Sequence, residues 1–165
     1  MADMDRKDIE ERLWKALEDE RTGMLGLTGP DADHMQPMTG FCERGPGAIW
    51  FFLRRDNHLI QSLSQGAKAM YCLNTKDHEV WACIAGSLYE QHDQERIDKY
   101  WNPVVAAWFP EGKDDPELTL LRLDLDDAQV WVSRKGPIRF ALEIAKANLT
   151  KSEPDLGDQA RLNLH

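Results

Sequence analysis

Val80-Trp81-Ala82-Cys83-Ile84-Ala85-Gly86-Ser87-Leu88-Tyr89 is the stretch whose pattern decides the fold. Successive residues of a strand point to opposite faces of a sheet. Here both alternating sets are apolar, with Val80, Ala82 and Ile84 on one side and Trp81, Cys83 and Ala85 on the other. An antiparallel sheet with one face in water carries polar residues on that face. A second subunit or a ligand is therefore expected over the second face. Ala48-Ile49-Trp50-Phe51-Phe52-Leu53 has the same double character.

Outward from these two strands the punctuation is that of a small antiparallel barrel. Thr22–Thr28 reads as a strand stopped by Gly29-Pro30-Asp31, and Met35–Glu43 as a second one ending at Arg44-Gly45-Pro46-Gly47. Pro37 removes a ladder donor, which predicts a sheet edge or a bulge where a ligand can approach backbone. Ala69–Leu73 is separated from Val80 by the polar turn Asn74-Thr75-Lys76-Asp77. Leu118–Leu125 and Ala128–Val132 alternate cleanly, and Trp131 shares its side with Gln129 and Ser133, which points to contact with something. Ile9, Leu13 and Leu17, with Trp14, predict a helix over 5–20. Asp56 or Asn57 caps a short helix with Leu59, Ile60 and Leu63 inward, and helical pieces follow around 93–100 and 104–108. Ile138, Ala141, Leu142, Ala145 and Leu149 make a last amphipathic helix over 138–149. The expectation is one domain over 1–150, with its barrel over 22–134, and a polar tail over 150–165. Six strands joined mostly by turns favour an antiparallel barrel with flanking helices over βαβ units.

Composition narrows the partners. The chain has 165 residues, 20 basic and 29 acidic side chains and a formal charge of −9. No basic run or stripe offers the footprint a nucleic acid requires. No apolar run approaches the ~20 residues that span a bilayer, and the charged start is unlike a signal peptide, so a cytoplasmic address is expected. Cys42, Cys72 and Cys83 are separated, odd in number and set among apolar residues, which reads as reduced, core-filling thiols. No clustered ligand pair suggests a metal.

Several segments, in order, resemble the general stress protein 26 branch of the pyridoxamine 5′-phosphate oxidase-like flavin-binding split barrels. They are Arg21–Thr28, His34-Met35-Gln36-Pro37-Met38, Trp50-Phe51-Phe52-Leu53 and Ile84-Ala85-Gly86-Ser87-Leu88. Tyr100-Trp101-Asn102-Pro103, Ala107-Trp108-Phe109-Pro110-Glu111-Gly112, Asp115-Pro116, Leu118–Leu121 and Val130-Trp131 complete the series, which covers roughly residues 8–132. The resemblance implies a mainly β (α+β), six-stranded split barrel paired two-fold as a homodimer, with flavin mononucleotide (FMN) at the interface. It implies Gln36, Pro37 and Met38 along the ring or ribityl chain, Phe51, Phe52 and Leu53 at the ring edge, and Arg54, Arg55, Asn57 and His58 at the phosphate. Trp131 would reach over the ring from the same or the opposite subunit. The chain departs from the family pattern where Gln36 replaces an Arg, Leu53 a Thr, and Asn57-His58-Leu59 a Ser-x-Lys.

Read without the resemblance, each of these residues has a plainer role. Trp50, Phe51 and Phe52 suit a core as well as a flavin platform, and Arg54 and Arg55 suit a solvated strand end. Trp101 and Trp108 read as glue between helices and barrel. No nucleophile or acid–base pair stands out, so catalytic residues are left open. The resemblance implies a flavin-dependent oxidoreductase or flavin carrier; the alternative is a non-enzymatic split-barrel dimer with lost or altered ligand binding, acting in stress response.

Overall fold

The computed structural model describes residues 4–30, 32–133 and 136–165; Asp31 of the first expected turn and Arg134 at the expected barrel end lie outside them. The order is α1 (Arg6–Glu20), β1 (Thr22–Leu27), β2 (Gln36–Glu43), β3 (Ala48–Arg54), α2 (His58–Ser62), β4 (Ala67–Asn74), β5 (Val80–Glu90), α3 (Gln94–Tyr100), α4 (Pro103–Ala106), β6 (Leu118–Ser133), α5 (Pro137–Thr150) and β7 (Gly157–Asn163). All ladders are antiparallel, in the order β3-β2-β1-β4-β5-β6-β7, and a further β3–β6 pairing closes the first six strands into a barrel.

β6 is the long strand that holds the closure together. Its first half pairs with β3 from Leu118 to Asp124, and its second half pairs with β7 from Asp127 to Ser133. The two stretches expected as separate strands are thus one. Asp126 is absorbed by a register shift against Ala85 and Gly86 of β5, a bulge that bends the strand without ending it. A side chain at Gly86 would stand 2.3 Å from the Asp124 carbonyl oxygen, so only glycine fits beneath the bend. The stretch expected as a polar tail contains β7, whose alternating half-buried pattern places Leu162 against the core.

Two cores result. The barrel interior holds Leu25, Met38, Ile49, Phe51, Leu53, Tyr71, Ile84, Leu88 and Leu123, and α1 plugs one end with Ile9, Leu13, Trp14 and Leu17. Outside the β2–β3–β6 wall, Phe41, Trp50, Leu118 and Leu120 pack under α3 and α4 through Ile97, Val105 and Phe109. The second apolar face of β3 is therefore covered by the chain's own helices. The second face of β5 is not: Trp81 is 48% exposed, its register partner Trp131 is 42% exposed, and Cys83 and Ala85 are half-buried. The apolar side chains Ile138, Leu142 and Leu149 of α5 are also exposed. Among the described residues, no helix is long and apolar enough to cross a membrane.

Candidate functional site

The barrel is split between β2 and β3. Their ladder covers only Gly40–Glu43 against Ala48–Phe51. Beyond it, Gln36–Thr39 pair with β1 alone, while Phe52, Leu53 and Arg54 pair with β6 alone. Pro37 sits on this local edge, where it has no ladder bond to lose, as its chemistry predicts. The separated strands and the segment Asn102–Phe109 enclose a groove of about 750 Å³. That is within the usual range of small-molecule sites, about 300–1,000 Å³.

The third wall is held by a cluster that the sequence does not announce. Glu43, at the end of β2, accepts two hydrogen bonds from Arg96 (3.2 and 3.1 Å) and one from the Tyr100 hydroxyl (2.8 Å). Burial alone would raise its pKa, but the bonds from Arg96 and Tyr100 and the charges of Arg96 and Lys99 outweigh it and hold the carboxyl below its ordinary range. Phe41 stacks on Tyr100 at 4.8 Å, which ties α3 to β2. Asn102 then caps α4 by accepting from the amides of Val104 (2.9 Å) and Val105 (3.0 Å). Trp101 packs near Phe52 and Phe109, both at 6.3 Å between ring centres.

Of the residues singled out from sequence, Gln36, Pro37, Met38, Phe52, Leu53, Arg54 and Asn57 line the groove together. Gln36 and Asn57 face each other and exchange two amide hydrogen bonds, of 3.0 and 3.3 Å. Asn57 also caps α2 by accepting from the Leu59 amide at 2.9 Å. Arg54 donates to Asp56 (3.3 Å) and to the Trp108 carbonyl (3.5 Å).

The other four lie elsewhere. Phe51 is fully buried in the barrel, edge-on to Tyr71. Arg55 turns away to the Pro116 carbonyl and to Glu90, both at 3.1 Å. His58 lies 3.5 Å from Asp33 and does not line the groove. Trp131 lines a separate open hollow of about 780 Å³ with Trp81, His78, Phe140 and Leu156.

Among the groove residues that sequence reading did not assign to a site are Arg21 and Trp108. Trp108, expected as glue, is 65% exposed on the groove wall, and Trp101 does the gluing instead. Arg21 follows α1 in a left-handed conformation (φ 44°) with its guanidinium over the Phe41 ring. Its signal in sequence was slight: a basic residue at a helix end is ordinarily read as complementing the helix dipole. Among the described residues there is no cluster of three potential metal ligands.

Residues 8–155 match the family described as pyridoxamine 5′-phosphate oxidase like. A crystal structure of a putative general stress protein 26 from Jannaschia is 34% identical, covers 95% of this chain and 99% of that one, and superposes with a TM-score of 0.77. The general stress FMN/FAD binding protein of Xanthomonas citri is 46% identical, covering 79% of this chain and 92% of that one, with a TM-score of 0.72. Protein bli-3 of Neurospora crassa is 24% identical over 78 residues, which span 42% of this chain but only 37% of that protein. With a closed six-stranded barrel split at a ligand-sized groove, and a family match along most of its length, the chain belongs to the pyridoxamine 5′-phosphate oxidase like family.

Proposed function

We propose that the groove between β2 and β3 binds a flavin, as FMN, and that the protein is a flavin-dependent oxidoreductase or flavin carrier. The observation that carries this reading is the split itself. It is a slot of about 750 Å³ with an apolar wall (Met38, Phe52, Leu53, Val104, Trp108, Phe109) and an arginine on each side, Arg21 and Arg54. Such a slot suits a flat ring with an anionic tail. The similarity to a protein described as FMN/FAD binding supports the same ligand class.

Bound there, the flavin would supply hydride or electron chemistry, and this chain would supply position and dryness. Pro37, Met38, Phe52 and Leu53 would hold the ring and exclude water. Gln36, already locked to Asn57, would present polar atoms of fixed orientation, and Arg54 would meet the phosphate. The exposed Trp81–Trp131 pair is the surface a second copy would cover in a homodimer.

One observation favours a second reading, a split barrel with lost or altered ligand binding. The Gln36–Asn57 pair is neutral, and the charge of Arg54 is matched by Asp56. Titration of purified protein with FMN, followed by quenching of flavin fluorescence, separates the two. Saturable quenching that weakens in Arg54→Ala supports FMN binding; no quenching by wild-type protein overturns it.

A further inference from the structure

Cys72 and Cys83 are eleven residues apart across the turn that joins β4 to β5. The register of those strands sets them directly opposite each other. Directly opposed residues of an antiparallel pair have Cα atoms about 4.5–5.5 Å apart, inside the range of about 4.4–6.8 Å that a disulfide accepts. The sulfurs meet at 3.1 Å, and both residues are half-buried on the outer face of the barrel. Their surroundings are also rich in sulfur: Met24, 41% exposed, is the register partner of Cys72, and Met70 lies two residues before it on the same side. Cys42 is on β2, away from both, and burial pushes its thiol up to about 11.

We propose that Cys72 and Cys83 form a reversible oxidation site, a cross-strand dithiol that a peroxide converts to a disulfide. The site stands apart from the flavin reading, since neither cysteine lines the groove. In the first step the Cys83 sulfur attacks a peroxide oxygen; the O–O bond breaks, Cys83 becomes a sulfenic acid, and hydrogen peroxide leaves as one water. In the second, the Cys72 sulfur attacks the Cys83 sulfur, the S–O bond breaks, and the Cys72 proton leaves with the hydroxyl as a second water. Two thiols and one peroxide thus become one disulfide and two waters. The order follows from the hydrogen bond, in which the Cys72 thiol donates to the Cys83 sulfur. Burial first, and then its contact with Cys83, raise the Cys72 thiol above its ordinary range, so Cys72 gives up its proton only in the second step, as it attacks the Cys83 sulfur.

The test is an alkylation map. Folded full-length protein is treated with hydrogen peroxide, cleared of peroxide with catalase, unfolded in urea with iodoacetamide so that buried thiols react, and read by intact mass and peptide mapping. The expected result is alkylation of Cys42 alone and a peptide linking Cys72 to Cys83, with all three sites alkylated again after dithiothreitol. In Cys72→Ser, Cys83 should run on to the sulfinic acid, because nothing resolves its sulfenic acid. In Cys83→Ser, Cys72 should stay alkylatable. Persistent alkylation of Cys72 and Cys83 in peroxide-treated wild-type protein overturns the proposal, as does a link that uses Cys42. Cys42→Ala leaves the pair intact and must give the same link; it also decides the matter if a serine variant fails to fold.

Discussion

Removing one buried hydroxyl tests how the groove floor is braced. Tyr71 is 1% exposed, and its phenol stands 2.9 Å from the Arg21 carbonyl and 3.3 Å from that of Met38, two residues on the groove. Tyr71→Phe keeps the ring, which is clamped between Phe51 and Gly23; a side chain at Gly23 would come within 2.7 Å of it. The variant therefore opens no cavity and removes only the hydroxyl. The Arg21 carbonyl keeps its other donor, the Gly40 amide, so the loss is close to one net hydrogen bond, about 1–1.5 kcal/mol. At about 2–4 °C per kcal/mol for a chain of this size, calorimetry should show Tm falling by about 2–6 °C, with an unchanged urea m-value. The pH dependence gives a second, independent readout. Burial raises the Tyr71 pKa above its ordinary 10.0. A phenol raised in the native state contributes stability that is complete below the unfolded pKa and lost as pH rises toward the native one. Wild-type stability should thus fall by up to about 1.4 kcal/mol per pH unit above pH 10 relative to the variant, and the gap between them should close. An unchanged Tm together with parallel alkaline profiles would refute the bracing role.

Glu43→Gln should loosen α3 and lower the urea midpoint near neutral pH. Because the native carboxyl is held below its ordinary 4.5, the wild-type advantage is present above that value and fades as pH falls through the native pKa, so curves that stay separated in acid would count against this. Trp81→Ala combined with Trp131→Ala should shift sedimentation toward a single chain if that exposed pair is the homodimer seam; an unaltered distribution removes it from the interface. Gln36→Arg should break the amide pair with Asn57 and add a cation beside the groove. FMN affinity should then rise about tenfold while riboflavin affinity does not, in keeping with about 1.5–3 kcal/mol for a charged hydrogen bond; an equal change for both ligands would show that no phosphate lies there.

What could be read from residues alone followed from periodicity. The double apolar character of β3 correctly implied cover on both faces, whereas the same character in β5 meets no cover from the described residues, and the aromatic run at Trp50–Phe52 placed β3 against the core. Periodicity does not say who provides the cover. For β3 it is the chain's own α3 and α4, brought there by Glu43 and Arg96 across 53 residues of sequence, a pairing no local pattern encodes. β6 read as two strands because Asp126 and Asp127 break the alternation, whereas a bulge at Asp126, opposite Ala85 and Gly86 of the neighbouring strand, absorbs the extra residue. β7 was hidden because a strand added to the outside of a barrel has little to bury, and its residues are mostly polar. The cysteines read as core-filling because sequence shows apolar neighbours and not which face each residue takes.

The groove makes the same point about charge. Gln36 and Asn57 stand where the family pattern carries an arginine and the start of a Ser-x-Lys, and read singly each looks like a lost phosphate contact. Placed together they are one substitution: each amide satisfies the other, so neither is left buried and unpaired at the split edge. The floor is thereby neutral and rigid, and the charge of the slot moves to its rims. There Arg54 is held by Asp56 at 3.3 Å with both side chains open to water, a kind of pair worth only about 0–1 kcal/mol. A phosphate bound as proposed would take Arg54 from Asp56 at little cost without disturbing the Gln36–Asn57 lock. If FMN binds as proposed, its affinity would be set by how freely Arg54 exchanges partners, and the apolar wall of the groove would stay intact even where the hold on the phosphate is weak.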